Sequence, residues 1–255
     1  MLLTTVVLVL REMLEAALIV SVLLAWSVLH CRSRRWIGVA LATGIAGAAV
    51  YAVNAAAVSE WFDYVGMEVV NAAMQFTVCM ALLVLAARPA ARAATWPMLV
   101  AVALAVVREG FEILLYLSGF VADRGAWSTV ALGSALGAGI GISAGALLFY
   151  LVVGLRRARA LRVAQVLVAL FAGNMAAQAV LLLIQADWIP GGVQVWNTAG
   201  LLAEDSVLGQ LLYALVGYEA TPSIWQVTAY AGVFCLLFVF FSRRPTRADG
   251  NGSET

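Results

Sequence analysis

Two copies of one charged motif, Arg-Glu-x-x-Glu, lie inside apolar stretches of this 255-residue chain, at residues 11–15 and 108–112. On a helix, side chains three and four positions apart are neighbours, so each motif places its charges on one side of a helix. Carboxylate oxygens are hard ligands, which suit hard cations. The motifs therefore predict a cation site, whose candidate ligands are Glu12, Glu15, Glu109 and Glu112.

Each motif also contains an arginine, Arg11 or Arg108, four residues before its second glutamate. A guanidinium stays protonated, so we expect both arginines to support the site by holding a carboxylate in position and offsetting part of the negative charge. The alternative is a salt-bridge network that only clamps the helices together. Two acids for every arginine exceed what a clamp needs, which favours the cation site.

Further polar side chains interrupt two other apolar stretches. Glu68 comes one turn before Asn71, and Gln75 follows one turn later, while Asn174 and Gln178 repeat the asparagine–glutamine spacing. We expect Glu68 to be a fifth candidate ligand and the four amides to be supporting residues. Amides in membrane helices also bond helices to one another without any ligand, and the spacing leaves that alternative open.

The composition indicates what kind of structure holds these charges. The chain is 64% hydrophobic and 11% charged, with a mean hydropathy of +0.98, whereas soluble domains are about 25% charged. We therefore predict an all-α integral membrane protein, in which a charged residue at a helix centre costs roughly 2.5–3.5 kcal/mol. Every arginine cluster lies beside an apolar stretch, which indicates the lipid bilayer as a partner and excludes nucleic acid.

Seven apolar stretches are long enough to cross a bilayer as helices. They are residues 3–29, 37–57, 66–87, 97–121, 128–155, 163–186 and 224–242. The connectors at one end, with the start of the tail, hold Arg32, Arg34, Arg35, Arg88, Arg92, Arg156, Arg157, Arg159, Arg162, Arg243, Arg244 and Arg247. The connectors at the other end hold Arg124 and the acids Glu60, Asp63, Asp123, Asp187, Glu204, Asp205 and Glu219. Since basic connectors stay in the cytoplasm, the N-terminus is predicted outside and the C-terminus inside.

The chain contains an internal repeat of two three-helix units, at about 3–87 and 97–186. Each unit begins with the charged motif and ends with the asparagine–glutamine helix. Because three is an odd number, the second unit is predicted to be inverted relative to the first, as in many transporters. The middle helix of the second unit should have a flat face for close helix packing, formed by Gly133, Gly137, Gly141 and Gly145.

The remaining segments complete a single membrane domain at 1–242. Residues 187–223 are predicted to form an ordered, polar outer loop, and 224–242 the last helix. The polar tail at 243–255 is predicted to be a disordered cytoplasmic segment.

Two Arg-Glu-x-x-Glu motifs in the first and fourth of seven helices resemble the high-affinity iron permeases. That family includes the fungal oxidase-coupled iron transporters and the permease of bacterial ferrous-iron uptake systems. The resemblance extends to Trp196-Asn197, Leu201-Leu202, Glu204-Asp205-Ser206, Gly217-Tyr218, Pro222-Ser223 and Gln226, which are similar to the outer loop and last helix of bacterial members. The family usually has glycine after the Arg-Glu pair. Here the second motif has Gly110, whereas the first has Met13.

The resemblance implies an iron transporter of the bacterial inner membrane, with the four motif glutamates binding iron in transit and the two arginines supporting them. Iron is then the transported substrate, and no permanently bound cofactor is expected. The resemblance also implies a partner on a separate chain, a periplasmic or extracellular protein that oxidises or delivers the iron.

Three other interpretations remain. A permease of the same fold could carry another metal, such as lead or manganese, and the family includes relatives associated with other metals. A proton-coupled exporter of small solutes would need an apolar pocket in place of converging carboxylates. An enzyme is not expected, because the chain has neither a HExxH nor a GxSxG motif, and a Walker-type phosphate loop is also missing.

Overall fold

The computed structural model describes residues 2–87, 95–120, 124–203 and 206–242, and in these ranges the chain is helical without a β-strand. Seven helices of the described part have 19 residues or more: α1 (Leu2–Leu29), α2 (Arg35–Val53), α5 (Gly66–Ala87), α6 (Trp96–Ser118), α7 (Arg124–Gly154), α8 (Arg157–Gln185) and α10 (Ile224–Ser242). Three shorter helices lie in connectors: α3 (Ala55–Ser59), α4 (Trp61–Tyr64) and α9 (Val207–Val216).

Each of the seven predicted stretches is occupied by one of the long helices. Five helices are long and apolar enough to cross a membrane, namely α2, α5, α7, α8 and α10. The other two, α1 and α6, carry the charged motifs. These findings confirm an all-α integral membrane protein. Several residues used to predict its orientation lie outside the described residues: Arg88, Arg92, Asp123, Glu204, Asp205, Arg243, Arg244, Arg247 and the rest of the tail.

Consecutive long helices run in opposite directions, which gives the bundle two faces. At one face the start of α1 meets the end of α6, where Thr5 Oγ1 lies 2.7 Å from the hydroxyl of Tyr116. At the other face the end of α1 meets the start of α6, where Ser27 donates to Met98 Sδ at 3.3 Å. We call these the N-terminal face and the arginine face, since the second carries the arginines of the α1–α2 and α7–α8 connectors.

Glycines bring α7 directly against α1. A Cβ added at Gly133, Gly137, Gly141 or Gly145 would lie 2.6–2.9 Å from an atom of α1, closer than real Cβ atoms approach. The predicted flat face is therefore confirmed. In a similar way α2 packs on α6, where a Cβ at Gly44 would lie 2.7 Å from Val106 Cβ. The middle helix of each predicted unit thus packs on the first helix of the other unit.

The main apolar core lies in the half of the bundle nearest the arginine face. Its largest fully buried side chains come from the end of α1, the end of α5 and the start of α6, and include Leu23, Trp26, Leu82, Leu85 and Met98. The half nearest the N-terminal face has a much smaller cluster around Tyr51, Val58 and Phe111. The bundle is therefore closely packed on one side of its middle and more open on the other.

The predicted polar loop at 187–223 contains α9, which the sequence analysis did not predict. This short helix is apolar, with the sequence VLGQLLYALV, so describing the whole segment as polar is wrong. Ser206 begins it by accepting a hydrogen bond from Gly209 N at 3.0 Å, and Gly217 ends it with a φ of 70°. Helix α9 packs against α1 and α8, next to the charged motif of α1.

Candidate functional site

The structure brings the four motif glutamates together where α1 and α6 meet in the middle of the bundle. Carboxylate oxygens of Glu12, Glu109 and Glu112 all lie within 4.8 Å of one another, a spacing that permits a shared cation. Glu15 lies one turn further along α1 and faces the same arginine as Glu109 and Glu112. Glu12, Glu15 and Glu109 are each less than a tenth exposed.

Arg108 is the buried counter-charge of this cluster. Its guanidinium lies 2.6 Å from Glu109, 3.3 Å from Glu15 and 3.3 Å from Glu112. With its amide oxygen facing this group, Gln75 also accepts from Arg108 Nη1 at 2.9 Å and from Nε at 3.3 Å. One arginine therefore contacts carboxylates of both motifs.

Arg11 takes a different position from Arg108, although the two motifs are alike in sequence. Its side chain is 43% exposed and approaches Glu15 at 3.5 Å and Glu12 at 4.0 Å. It also lies over the ring of Tyr213 in α9, 5.1 Å from the ring centroid, as in a cation–π pair. The two arginines therefore differ in burial and in their partners. Helix α9 packs on α1 and, within the described residues, has no counterpart packed on α6.

The glutamine pair predicted from the repeat meets at the centre of the bundle. The Gln75 and Gln178 side chains are 2.5 Å apart, joining α5 to α8, and both are buried. Asn174 instead reaches α9, where its Nδ2 donates to the carbonyl of Tyr213 at 3.4 Å. The glutamines support the charged cluster from one side, and Asn174 holds α9 beside it.

Glu68 lies outside the three-carboxylate cluster. Together with Asn71, Glu12 and Glu112 it lines a cavity of about 430 Å³, which we call the large cavity. Further lining comes from the start of α5 and the ends of α6 and α8 at the N-terminal face, so the large cavity lies between that face and the glutamates. Glu68 therefore lines the large cavity with two of the clustered carboxylates but does not belong to the cluster itself.

Met13, the position where the first motif lacks the usual glycine, is explained by helix packing. A Cβ at Gly141 of α7 would lie 2.9 Å from Met13 Cβ, so the methionine fits because α7 has no side chain there. At the second motif the sizes are reversed, and Gly110 fits against Ala48 of α2, where an added Cβ would be 3.0 Å away. The departure at Met13 thus changes which helix supplies the small residue and leaves the carboxylates in place.

Three buried carboxylate oxygens lack a hydrogen-bond partner in the described part of the chain: Glu12 Oε2, Glu15 Oε1 and Glu109 Oε2. Desolvated carboxylate oxygens are costly unless a donor or a cation faces them. Arg108 offsets part of this negative charge, and Arg11 Nε lies 3.5 Å from Glu15 Oε1 without a hydrogen bond to it. Four carboxylates still outnumber the two guanidiniums. The cluster is therefore electrostatically suited to an additional cation.

The sequence analysis missed the aromatic residues around the cluster. Tyr213 covers Arg11, while Phe111 stacks on Tyr51 with ring centroids 4.0 Å apart. The Tyr51 hydroxyl donates to Asn71 Oδ1 at 3.4 Å, beside the large cavity. An aromatic residue in an apolar stretch is usually ordinary packing, so the sequence carried no signal for these roles.

Apolar helices around a buried group of carboxylates and a guanidinium define a class: an α-helical integral membrane protein with a charged interior, the arrangement found in ion pathways and transporters. The family model described as the iron permease FTR1 family matches residues 50–245, a range that includes the second motif. The chain belongs to the iron permease FTR1 family.

The relatives found among characterised proteins are bacterial. The chain is 26% identical over 162 residues to the ferrous iron permease EfeU of Shigella flexneri, covering 63% of this chain and 68% of that protein. The ferrous iron permease EfeU of Escherichia coli O157:H7 has the same identity over 162 residues, which span 58% of its length. The ferrous iron permease EfeU of Escherichia coli O6:H1 is 26% identical over 274 residues, covering 97% of both chains. No solved structure matches this chain.

Proposed function

We propose that this chain imports iron through a site formed by the two Arg-Glu-x-x-Glu motifs, with Glu12, Glu109 and Glu112 as the ligands. The observation that carries the proposal is the convergence of these three carboxylates within 4.8 Å, two of which, Glu12 and Glu109, have a buried oxygen without a hydrogen-bond partner in the described residues. Family membership and the EfeU relatives support iron as the cation. The three glutamates offer carboxylate oxygens, which are hard ligands, and such ligands suit iron as a hard cation.

The proposed orientation places the N-terminal face outside and the arginine face in the cytoplasm of a bacterial cell, across the inner membrane. It is supported by the arginines of the α1–α2 and α7–α8 connectors, which basic-residue bias keeps inside. In this orientation the seven long helices form seven spans with an inverted repeat. The large cavity then faces the iron supply, which an iron-oxidising or iron-delivering protein on a separate chain would provide.

Arg108 has a defined part in this proposal. It contacts Glu109 and Glu112, two of the three proposed ligands, so a bound ion and the guanidinium share these two carboxylates. Without the guanidinium, the full negative charge of the cluster would attract the ion, and the ion would bind too tightly to be released. Because Arg108 offsets part of that charge, the site binds the ion weakly enough for transport.

Uptake of radioactive iron into cells lacking other iron transporters tests the proposal. Glu12→Gln and Glu112→Gln remove a carboxylate with little change of shape, and each should abolish most of the uptake. Glu60→Gln, at an exposed position of the α3–α4 connector, is the matched control and should leave uptake unchanged. Normal uptake in both cluster variants would refute the ligand assignment. Parallel uptake of lead and manganese identifies the cargo, and saturable uptake of either without iron would refute iron.

A further inference from the structure

A second, much smaller cavity lies on the opposite side of the glutamates, toward the arginine face. It is lined by Glu15 and Glu109 together with Ile19, Phe171 and Asn174, and its volume is about 10 Å³. A single water needs at least about 10–15 Å³ by the same kind of measure. This small cavity is therefore closed to a hydrated cation, whereas the large cavity of about 430 Å³ admits one.

The two cavities are lined by corresponding residues of the two predicted repeats. The first helices, α1 and α6, correspond at a spacing of 97 residues, which relates Glu12 to Glu109. At this spacing four residues of α1 and α6 that line the large cavity correspond to four that line the small cavity. The pairs are Leu8 with Ala105, Glu12 with Glu109, Glu112 with Glu15, and Tyr116 with Ile19.

The third helices, α5 and α8, continue the correspondence at a spacing of 103 residues, the separation of Gln75 and Gln178. Asn71 of the large cavity corresponds to Asn174 of the small cavity. Glu68 corresponds to Phe171, which is only 3% exposed. The small cavity is thus the equivalent of the large one, with a buried phenyl ring in place of a carboxylate.

The two motif arginines differ in burial and in their ion pairs, as expected if the two repeats have different arrangements. Arg108 is buried and reaches Glu15 of the other repeat at 3.3 Å. The equivalent contact would join Arg11 to Glu112, but Arg11 is 43% exposed and its ion pairs are with Glu12 and Glu15 of its own helix. Packing agrees with this difference, since the main apolar core fills only the half nearest the arginine face.

We propose that the small cavity is the closed inner half of the ion path and that Phe171 and Ile19 form its gate. Opening of this half exposes Glu15 and Glu109 to the arginine face while the large cavity closes, so that the two repeats exchange their arrangements. Buried oxygens of both glutamates lack a donor in the described chain, which gives the ion a place to move to from Glu12 and Glu112. The passage of an ion rests on the proposed function, whereas the gate itself does not.

Cysteine labelling from each side of the membrane tests the gate. In a background with Cys31, Cys79 and Cys235 replaced by alanine, the corresponding residues supply a matched pair, Leu8→Cys in the large cavity and Ala105→Cys in the small one. Without metal, a membrane-impermeant maleimide should label Leu8→Cys from the N-terminal face and should not label Ala105→Cys from either face.

Removing the Phe171 side chain should change the labelling of Ala105→Cys and leave the labelling of Leu8→Cys from the N-terminal face in place. Adding Phe171→Ala to Ala105→Cys should permit labelling from the arginine face, while adding Phe76→Ala, at an exposed phenylalanine of α5, should not. An unchanged elution position in size-exclusion chromatography and an unchanged helical circular-dichroism spectrum show that the Phe171→Ala variant is folded. If Ala105→Cys stays unlabelled in that folded protein, or is labelled from the N-terminal face, the gate is refuted.

The effect of iron on the labelling rates distinguishes the proposed gate from the proposed transport of iron. During transport, iron should increase labelling of Ala105→Cys from the arginine face and decrease labelling of Leu8→Cys. If Phe171→Ala opens the small cavity but iron changes neither rate, the gate is supported and the transport of iron is refuted.

Discussion

Replacing the two motif arginines should have very different effects on stability, although their motifs are alike. Arg108→Gln removes a buried guanidinium that lies within 3.3 Å of Glu15, Glu109 and Glu112. Loss of one partner from a buried ion pair costs about 3–5 kcal/mol, because the remaining charge stays buried and uncompensated. Arg11→Gln removes a side chain that is 43% exposed, and an exposed ion pair contributes about 1 kcal/mol or less.

Thermal unfolding of the two purified variants in the same detergent measures this difference. A change of 1 kcal/mol shifts the melting temperature of a chain of this size by about 2–4 °C. Arg108→Gln should therefore lower the melting temperature by roughly 6–20 °C, and Arg11→Gln by about 4 °C or less. Equal shifts, or a larger shift for Arg11→Gln, would refute the assignment of Arg108 as the buried counter-charge.

Three further predictions follow from packing, capping and the large cavity. Gly137→Ala places a Cβ 2.6 Å from Val6 O and should destabilise the bundle by about 1–3 kcal/mol, whereas Gly139→Ala on the same helix meets nothing within 4 Å and should be neutral in the same unfolding assay. Ser206→Ala removes the N-cap of α9 and should weaken that helix by about 1 kcal/mol, seen as faster proteolysis within 206–217; an unchanged cleavage rate would contradict the cap. Glu68→Gln should slow iron uptake at low iron and leave the rate at saturating iron unchanged, and an equal loss at both concentrations would place Glu68 within the central site.

Much of the fold could be predicted because a membrane helix has a strong local signal. Length and hydropathy located all seven long helices, and the four-residue spacing of glycines located the flat face of α7, although not its partner α1. Helix α9 gave no such signal, since ten residues cannot cross a bilayer and an apolar segment of that length looks like part of a loop. Its position depends on contacts with α1 and α8 that are distant in sequence.

The candidate site, like the fold, could be predicted from the sequence only in part. The motif spacing predicted that the glutamates of one helix would lie together. The sequence identified Gln75 and Gln178 as corresponding polar residues, whereas their contact was found only in the structure. The sequence could not distinguish Arg11 from Arg108, because their motifs are alike and their different partners, such as Tyr213 beside Arg11 and Glu15 beside Arg108, are distant in the chain. Glu68 could not be placed along the large cavity for a similar reason, since its distance from the cluster depends on how α5 packs on α6.

The most direct test of the central claim is the position of iron in the protein, measured by anomalous diffraction at the iron absorption edge from crystals grown with iron. We expect an iron peak among the carboxylates of Glu12, Glu109 and Glu112, and its loss in crystals of Glu112→Gln. A peak elsewhere in the bundle, or one that persists in the same position in Glu112→Gln, would contradict it.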